Sequence, residues 1–216
     1  MRAFLFDLDG VLVDTRALVE DGWRRFAASR GRTLSDEELV GRIFGRRNID
    51  VLVEVFGLTP DEARREAAVM GDKRAEVAAG PPLGEIPGAA AFVQASLAAG
   101  LPCAVASSAA PINVRLGLAA IGLDDAFPVV IDGTRVDRGK PAPDPYLAAA
   151  RELGMDPAGC VVFEDSTAGV ASARAADARC VGVASLGDRG LLAGADLVID
   201  DFRGWTPEAV LEAVGT

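Results

Sequence analysis

Two aspartates near the start of the chain, Asp7 and Asp9, have the spacing that most directly indicates chemistry. They lie two positions apart at the end of an apolar run, so in an extended segment both side chains point to the same face. Gly10 follows and permits a sharp exit from the strand. Two clustered carboxylates can hold Mg²⁺ and leave one oxygen to act as a nucleophile, an arrangement that suits phosphoryl transfer.

Hydroxyl groups follow a second apolar run, at 104–106. Ser107 and Ser108 place hydroxyls and turn amides at the carboxyl end of a predicted strand, where open α/β sheets bind ligands. These donors could bind phosphate oxygens. Taken alone, Ser107 fits the role of a turn or helix-capping residue better.

A basic loop and an acidic pair complete the set of candidate groups. Lys140 lies in a proline-rich loop and could present its charge to a phosphoryl group, although a lone loop lysine is usually solvated. Glu164 and Asp165 follow the strand-like run at 160–163 and offer acidic metal ligands. Such a pair could also serve only as a cap or a solvated turn. Ser166 is predicted to cap the next helix.

The composition excludes several classes of function. The chain has 216 residues, a net charge of −10 and no histidine. Without histidine, the chain lacks His-activated nucleophiles and the commonest zinc ligand. The negative charge disfavours a nucleic-acid partner, and no apolar run approaches the roughly 20 residues of a membrane span. The apolar start is too short for a secretory signal, so we expect a cytoplasmic protein with no membrane partner.

Three cysteines stand in or beside apolar, strand-like runs and show no metal-binding spacing. We expect all three to be buried structural thiols. They are Cys103, Cys160 and Cys180.

Short apolar runs alternate with helical patterns over most of the chain. This alternation predicts an α/β fold with a mostly parallel sheet covered by helices on both faces, in a doubly wound arrangement. Strands are predicted at 2–7, 101–107, 127–131, 160–164, 179–183 and 197–199, and intervening helices at 89–99, 112–121, 145–153 and 168–176.

The region from 16 to 80 breaks this alternation. It carries only helical patterns, so we predict an inserted all-helical domain over 16–80 and a core made of 1–15 and 81–216. A Gly/Pro-rich stretch at 80–88 returns the chain to the core. The predicted helices of the insertion are 18–30, 36–43, 48–56 and 60–78.

In their order along the chain, the candidate segments resemble the four motifs of the haloacid dehalogenase (HAD) superfamily, and the resemblance covers the whole chain. The insertion is similar to the small helical cap of the branch that contains β-phosphoglucomutase and sugar-phosphate phosphatases. The resemblance implies a Rossmann-like core with a helical cap. The segments read Phe-Asp-Leu-Asp-Gly-Val-Leu-Val-Asp-Thr at 6–15, Ala-Ser-Ser at 106–108, Gly-Lys-Pro-Ala-Pro-Asp-Pro-Tyr at 139–146 and Phe-Glu-Asp-Ser-Thr-Ala-Gly-Val at 163–170.

The same resemblance implies roles for the acidic residues. Asp7 would attack phosphorus to form an aspartyl-phosphate, and Asp9 would act as general acid and base. Mg²⁺ would lie between Asp7, the backbone carbonyl of Asp9 and Asp165, with Glu164 contributing directly or through water.

The resemblance also implies a phosphate-binding set and a substrate-binding cap. The phosphoryl oxygens would be surrounded by side chains and backbone amides from Leu8, Ser107, Ser108 and Lys140. Substrate choice would reside in the cap, although a solvated or cap-core role is an alternative for each candidate there. The cap candidates are Trp23, Arg42, Arg46, Arg47, Asn48 and Lys73.

Our leading hypothesis is a Mg²⁺-dependent phosphomonoesterase that acts on a small sugar or polyol phosphate. A phosphomutase is the main alternative, but β-phosphoglucomutases carry a histidine on the first cap helix and this chain has none. Two further alternatives are a phosphoacceptor or sensor and a non-catalytic ligand-binding protein. The presence of Asp9 argues against the phosphoacceptor or sensor. We expect a small phosphate ester as the partner, a monomer or weak dimer, and cap closure about linkers near Arg16 and at 80–88.

Overall fold

A parallel sheet forms the centre of the computed structural model, which describes residues 2–185, 187 and 189–215. The strands are β1 (Ala3–Phe6), β2 (Val13–Asp14), β3 (Gly84–Glu85), β4 (Cys103–Ala106), β5 (Val129–Ile131), β6 (Cys160–Glu164), β7 (Arg179–Val183) and β8 (Leu197–Ile199). Six of them form one sheet in the order β5-β4-β1-β6-β7-β8, with every neighbouring pair parallel. The predicted α/β fold is confirmed.

Helices cover this sheet and also form most of the segment between β2 and β3. They are α1 (Arg16–Ser29), α2 (Asp36–Glu38), α3 (Asn48–Glu54), α4 (Pro60–Met70), α5 (Arg74–Ala79), α6 (Ala89–Ala98), α7 (Pro111–Ala120), α8 (Asp144–Glu152), α9 (Thr167–Ala175) and α10 (Pro207–Ala213). The four helices predicted after residue 88 each lie within one residue of their predicted bounds, whereas α10 was not predicted. In the described ranges, no helix combines the length and apolar character that crossing a bilayer requires.

The central strand β1 is buried on both faces, which explains why its sequence is a continuous apolar run. On one face, the Phe6 ring stacks on Phe163 with centroids 4.7 Å apart. Leu5 belongs to the apolar cluster on the other face. This double burial holds the end of β1, and therefore the start of the candidate site, in a fixed position. The three cysteines are buried free thiols in β4, β6 and β7, as predicted.

The helical segment between β2 and β3 has an apolar cluster of its own, formed by Trp23, Ala27, Leu34, Leu39, Ile43, Val51, Leu52, Leu58 and Ala63. Every member lies within 16–80, which fits an inserted domain, although the division of the chain into two domains stays a prediction. The helix predicted at 36–43 is α2 followed by a π-helical turn, Leu39–Ile43.

One prediction in this segment is wrong, because 60–78 forms two helices and not one. α4 ends at Gly71, a poor helix former, and α5 begins at Arg74. Between them, the Asp72 carboxylate accepts a hydrogen bond from the Arg74 backbone N–H at 3.1 Å. Such a local side-chain contact competes with the helical hydrogen bonds and stabilises the break.

The two connections to the helical segment lie side by side as a short antiparallel ribbon that the sequence did not predict. Val13 pairs with Glu85, and Asp14 pairs with Gly84. The Ile86 N–H extends the ribbon by donating to the Leu12 carbonyl at 2.9 Å. The predicted hinges lie at this ribbon, and their movement stays a prediction.

Candidate active site

Asp7 and Asp9 follow β1 and line one cavity together. The Asp7 N–H donates to the Phe163 carbonyl at 3.0 Å, which keeps Asp7 in register with β6. The chain then turns at Gly10, whose φ of +75° confirms the predicted need for glycine. Asp9 is held by Thr15, whose hydroxyl donates to Asp9 Oδ1 at 2.6 Å.

Lys140 connects the carboxylates of two neighbouring strands. Its Nζ lies 2.8 Å from Asp7 Oδ1 and 2.6 Å from Glu164 Oε1, and the side chain is fully buried. Burial alone would lower the pKa of Lys140, but the two adjacent carboxylates outweigh that effect and raise its pKa. The ammonium therefore stays charged beside Asp7.

Glu164 is fixed by donors on both of its oxygens. Oε1 also accepts from the Tyr146 hydroxyl at 2.5 Å, and Oε2 accepts from the Asp165 N–H at 3.1 Å and the Ser166 hydroxyl at 3.2 Å. Ser166 in turn accepts from the Gly169 N–H at 3.0 Å, so the predicted helix cap is confirmed. The role of Tyr146 was missed, although this residue ends the third motif segment.

Asp7, Glu164 and Asp165 form a buried acidic cluster, in which one oxygen from each lies within 4.8 Å of the others. Burial, followed by repulsion from Glu164 and Asp9 against the attraction of Lys140, raises the pKa of Asp7 to about 7. Burial and the charges of Glu164 and Asp7 also raise the pKa of Asp165 well above its ordinary value. A bound metal ion would relieve this cost, and the donor set is all oxygen, as hard divalent cations prefer.

Gly10 makes the close approach of Asp165 possible. A Cβ at Gly10 would lie 2.0 Å from Asp165 Oδ2, well inside contact distance. The glycine after the aspartate pair therefore has two functions. It allows the left-handed turn, and it leaves space for an acidic side chain from the next strand.

The predicted phosphate-binding residues Ser107 and Ser108 follow β4, which pairs in parallel with β1, so they lie at the same sheet edge as Asp7. Ser107 follows β4, and its Oγ accepts from the Ala109 N–H at 3.0 Å, so the turn role is present. Ser108 lines the cavity, and its hydroxyl donates to the Gly45 carbonyl at 2.8 Å. Leu8, Ser107 and Lys140 are buried and are not among the described residues that line the cavity.

A cavity of about 480 Å³ opens onto Asp7 and Asp9 between the helical segment and the sheet edge. Its size is within the range of small-molecule sites, roughly 300–1,000 Å³. The cap candidate Arg42 is not among the described residues that line this cavity, and its guanidinium donates to the Glu54 carbonyl at 3.5 Å. The other cap candidates, whose binding role stays a prediction, all line the cavity; they are Trp23, Arg46, Arg47, Asn48 and Lys73.

Several cavity residues were missed by the sequence analysis. Asn113 and Leu116 come from α7, and Thr134 and Val136 come from the loop after β5. Their spacing in the sequence does not connect these residues with the helical segment, because only the fold brings them together. The Asn113 amide oxygen accepts from the Lys73 N–H at 3.2 Å, which joins α7 to the helical segment.

Arg47 makes a second connection between the helical segment and the sheet edge. Its guanidinium donates to both oxygens of Asp50, at 2.7 and 2.9 Å. It also donates to the carbonyls of Val136 and Asp137, at 2.8 and 2.9 Å. Arg47 therefore holds the helical segment against the loop that leads to Lys140.

Comparison with known proteins gives consistent matches. A hydrolase family model described as haloacid dehalogenase-like hydrolase matches residues 1–177. Hexitol phosphatase A of Escherichia coli (strain K12) is 36% identical over 202 residues, which cover 94% of this chain and 92% of that protein.

Two solved structures also match this chain over most of its length. β-Phosphoglucomutase from Clostridium difficile matches with a TM-score of 0.83 at 25% identity, covering 100% of this chain and 97% of that chain. CbbY from Rhodobacter sphaeroides in complex with xylulose 1,5-bisphosphate matches with a TM-score of 0.79 at 27% identity, covering 94% of this chain and 96% of that chain.

Proposed function

The chain belongs to the haloacid dehalogenase-like hydrolase family, and from that premise we propose that it is a Mg²⁺-dependent phosphatase of small sugar or polyol phosphates. One observation carries the proposal: Asp7 and Asp9 line the same cavity, and Lys140 lies 2.8 Å from Asp7. The similarity to a hexitol phosphatase supports the substrate class.

The proposed reaction has two steps and forms an aspartyl-phosphate. An Asp7 carboxylate oxygen attacks phosphorus, the bond from phosphorus to the ester oxygen breaks, and Asp9 gives a proton to the departing alkoxide. Water then attacks the phosphorus of the aspartyl-phosphate and gives a proton to Asp9. Inorganic phosphate leaves, and the Asp7 carboxylate is restored.

The environment of Asp9 supports its role as acid and base. Burial raises the pKa of Asp9 above its ordinary value, and the Thr15 hydrogen bond and the Lys140 charge limit the increase. A carboxyl group that titrates closer to neutral pH can hold a proton for the leaving group and accept one in the second step. Thr15 also fixes the direction of the carboxyl group toward the cavity.

We assign the remaining residues near Asp7 to neutralising the charge of the phosphate and to positioning it. Mg²⁺ held by Asp7, Asp165 and the Asp9 carbonyl would offset repulsion between the nucleophile and the phosphate. Glu164 accepts hydrogen bonds on both oxygens, so we assign it chiefly to holding Lys140 in place. Lys140, Ser107 and the amides near Leu8 and Ser108 would bind the phosphoryl oxygens.

A phosphomutase is the second candidate, because β-phosphoglucomutase from Clostridium difficile shares the fold over the whole of this chain. A mutase would convert glucose 1-phosphate to an isomer and would require a bisphosphate activator. A phosphatase would release inorganic phosphate without one. The products therefore distinguish the two reactions.

The experiment is an assay of phosphate release from sugar, polyol, glycolate and nucleotide monophosphates, with Mg²⁺ or with EDTA. Wild type is compared with Asp7→Asn and Asp9→Asn, after circular dichroism has shown that both variants are folded. We expect release only with Mg²⁺, and a loss of at least about 10²-fold in each variant. Retained activity in Asp7→Asn would rule out Asp7 as the nucleophile.

A further inference from the structure

Arg47 lines the cavity, but its hydrogen bonds lead to the loop that carries Lys140. We infer that Arg47 is a positioning residue, which acts on the reaction by holding that loop and not by binding the leaving group. The inference rests on the proposed phosphatase activity, because Lys140 is assigned there to the phosphoryl group. It gives the helical segment a part in forming the phosphate site in addition to substrate choice.

The guanidinium of Arg47 has five N–H groups, and the protein supplies an acceptor for each. On the helical segment, Nε and Nη2 donate to the two oxygens of Asp50, at 2.7 and 2.9 Å. On the loop after β5, Nη1 donates to the carbonyls of Gly133 and Val136, at 3.5 and 2.8 Å. Nη2 also donates to the carbonyl of Asp137 at 2.9 Å, 90 positions away in the chain. The planar fork of the guanidinium therefore joins the helical segment to this loop.

Arg47 supports the middle of the loop, which runs from the end of β5 to the start of α8, at 132–143. Among the residues that the structure describes, no other hydrogen bond reaches the carbonyls of Val136 and Asp137. Gly139 then passes so close to Arg47 that a Cβ at this position would lie 2.6 Å from Nε. Arg47 therefore fixes the backbone up to the residue before Lys140.

Lys140 has little tolerance for displacement. Its Nζ lies 2.8 Å from Asp7 Oδ1 and 2.6 Å from Glu164 Oε1, and its side chain is fully buried. Because the side chain is enclosed, a shift of the backbone before it moves the ammonium group as well. A misplacement of about 1 Å in an active site can lower the rate by about 10²-fold. Loss of the Arg47 contacts should therefore weaken the hold of Lys140 on the phosphoryl group.

Two variants separate this role from ligand binding. Arg47→Met removes every contact of the guanidinium. Asp50→Ala keeps the guanidinium but removes its support on the helical segment, and Asp50 is not among the described residues that line the cavity. If Arg47 supplied its charge to the ligand, Asp50→Ala would release that charge and improve binding. If Arg47 is a positioning residue, both variants should lose activity.

The measurement is kcat/KM for sorbitol 6-phosphate and for p-nitrophenyl phosphate, which have the phosphate in common but not the leaving group. We expect each variant to lose at least about tenfold, by a similar factor for both esters. Asp21→Ala is the matched control, because Asp21 pairs with Arg25 at 2.6 Å and both side chains are mostly exposed. A loss confined to sorbitol 6-phosphate, a gain in Asp50→Ala, or an equal loss in the control would overturn the inference.

A double-mutant cycle tests whether Arg47 acts through Lys140. Binding of inorganic phosphate with Mg²⁺ is measured by isothermal titration calorimetry in the wild type, Arg47→Met, Lys140→Met and the double variant, once circular dichroism has shown that they are folded. Arg47→Met should weaken binding by at least about fivefold when Lys140 is present and have little effect when it is absent. Equal weakening in both backgrounds would overturn the inference. If Lys140→Met does not fold, the comparison of the two esters decides.

The outcomes also separate this inference from the proposed function, because phosphate binding needs no turnover. A wild type that releases phosphate from no ester would overturn the proposed function, while the cycle would still show whether Arg47 positions Lys140. A wild type that releases phosphate beside an Arg47→Met variant of equal activity would overturn the inference alone.

Discussion

Replacement of Lys140 by methionine would leave two buried carboxylates without their shared counter-charge. Methionine has a similar length, so the variant removes the ammonium group with little change in volume. In the wild type this ammonium lies 2.8 Å from Asp7 and 2.6 Å from Glu164, and both carboxylates are buried. Removal of one partner from a buried ion pair costs about 3–5 kcal/mol, and we expect a loss of this size at pH 7 without metal.

The stability that Lys140→Met loses relative to the wild type should also increase as the pH rises above 7. Asp7 has a pKa of about 7 in the folded protein against 3.8 ordinarily. A folded pKa above the unfolded value gives stability at low pH that is lost as the pH rises. In the wild type, the pH-dependent loss of stability that Asp7 causes ends near pH 7. Lys140 lowers the pKa of Asp7, so in Lys140→Met the loss continues above pH 7 at up to about 1.4 kcal/mol per pH unit.

Urea denaturation in EDTA at pH 6, 7, 8 and 9, followed by circular dichroism, measures both effects. Arg138→Met is the matched control from the same loop, because Arg138 pairs with Asp144 and its side chain is 72% exposed. That variant should lose less than about 1 kcal/mol, with no trend above pH 7. A Lys140→Met protein that loses less than about 1 kcal/mol, or whose loss is constant from pH 7 to 9, would refute this reasoning.

Three further predictions concern single groups. Gly10→Ala should destabilise the fold more than Gly122→Ala, because a methyl group at Gly10 would clash with Asp165. Gly122→Ala carries only the penalty of a left-handed φ, about 1–2 kcal/mol. Thermal denaturation of both variants tests this prediction, and equal losses of stability would contradict it. Thr15→Val removes a hydrogen bond that lowers the pKa of Asp9. The limb of the kcat/KM pH profile that reports Asp9 should therefore move to higher pH. An unchanged profile would contradict the assigned contact. The 3 thiols should react with Ellman's reagent only after unfolding, and rapid reaction of the native protein would contradict their burial.

The site was predictable from sequence where its parts are local in the chain. Asp7, Asp9 and Gly10 lie within four positions, and strand periodicity together with the glycine turn is sufficient to place both carboxylates at one cavity. Ser166 was predicted as a cap for the same reason, because it bonds to Gly169 only three residues later. Strands of the sheet were equally clear, since burial on both faces requires continuous apolar runs.

The parts that were missed depend on contacts between distant residues. Tyr146 reaches Glu164 across 18 positions. Lys140 reaches Asp7 from the loop between β5 and α8, so a lysine expected to face a phosphate also joins two carboxylates. The β2–β3 ribbon pairs Val13 with Glu85, and two-residue strands have no periodicity to detect.

The β2–β3 ribbon brings the two ends of the helical segment together. Because Asp14 pairs with Gly84, the chain leaves the sheet-bearing part and returns to it at one point. A loop held at neighbouring ends tolerates changes of length well, since each doubling adds only about 0.6 kcal/mol of closure cost. We therefore expect insertions, deletions or whole replacements between residues 15 and 83 to alter which molecules enter the cavity while the strand that carries Asp7 keeps its register. Grafting the segment from a relative onto this ribbon should transfer ligand preference without redesign of the sheet.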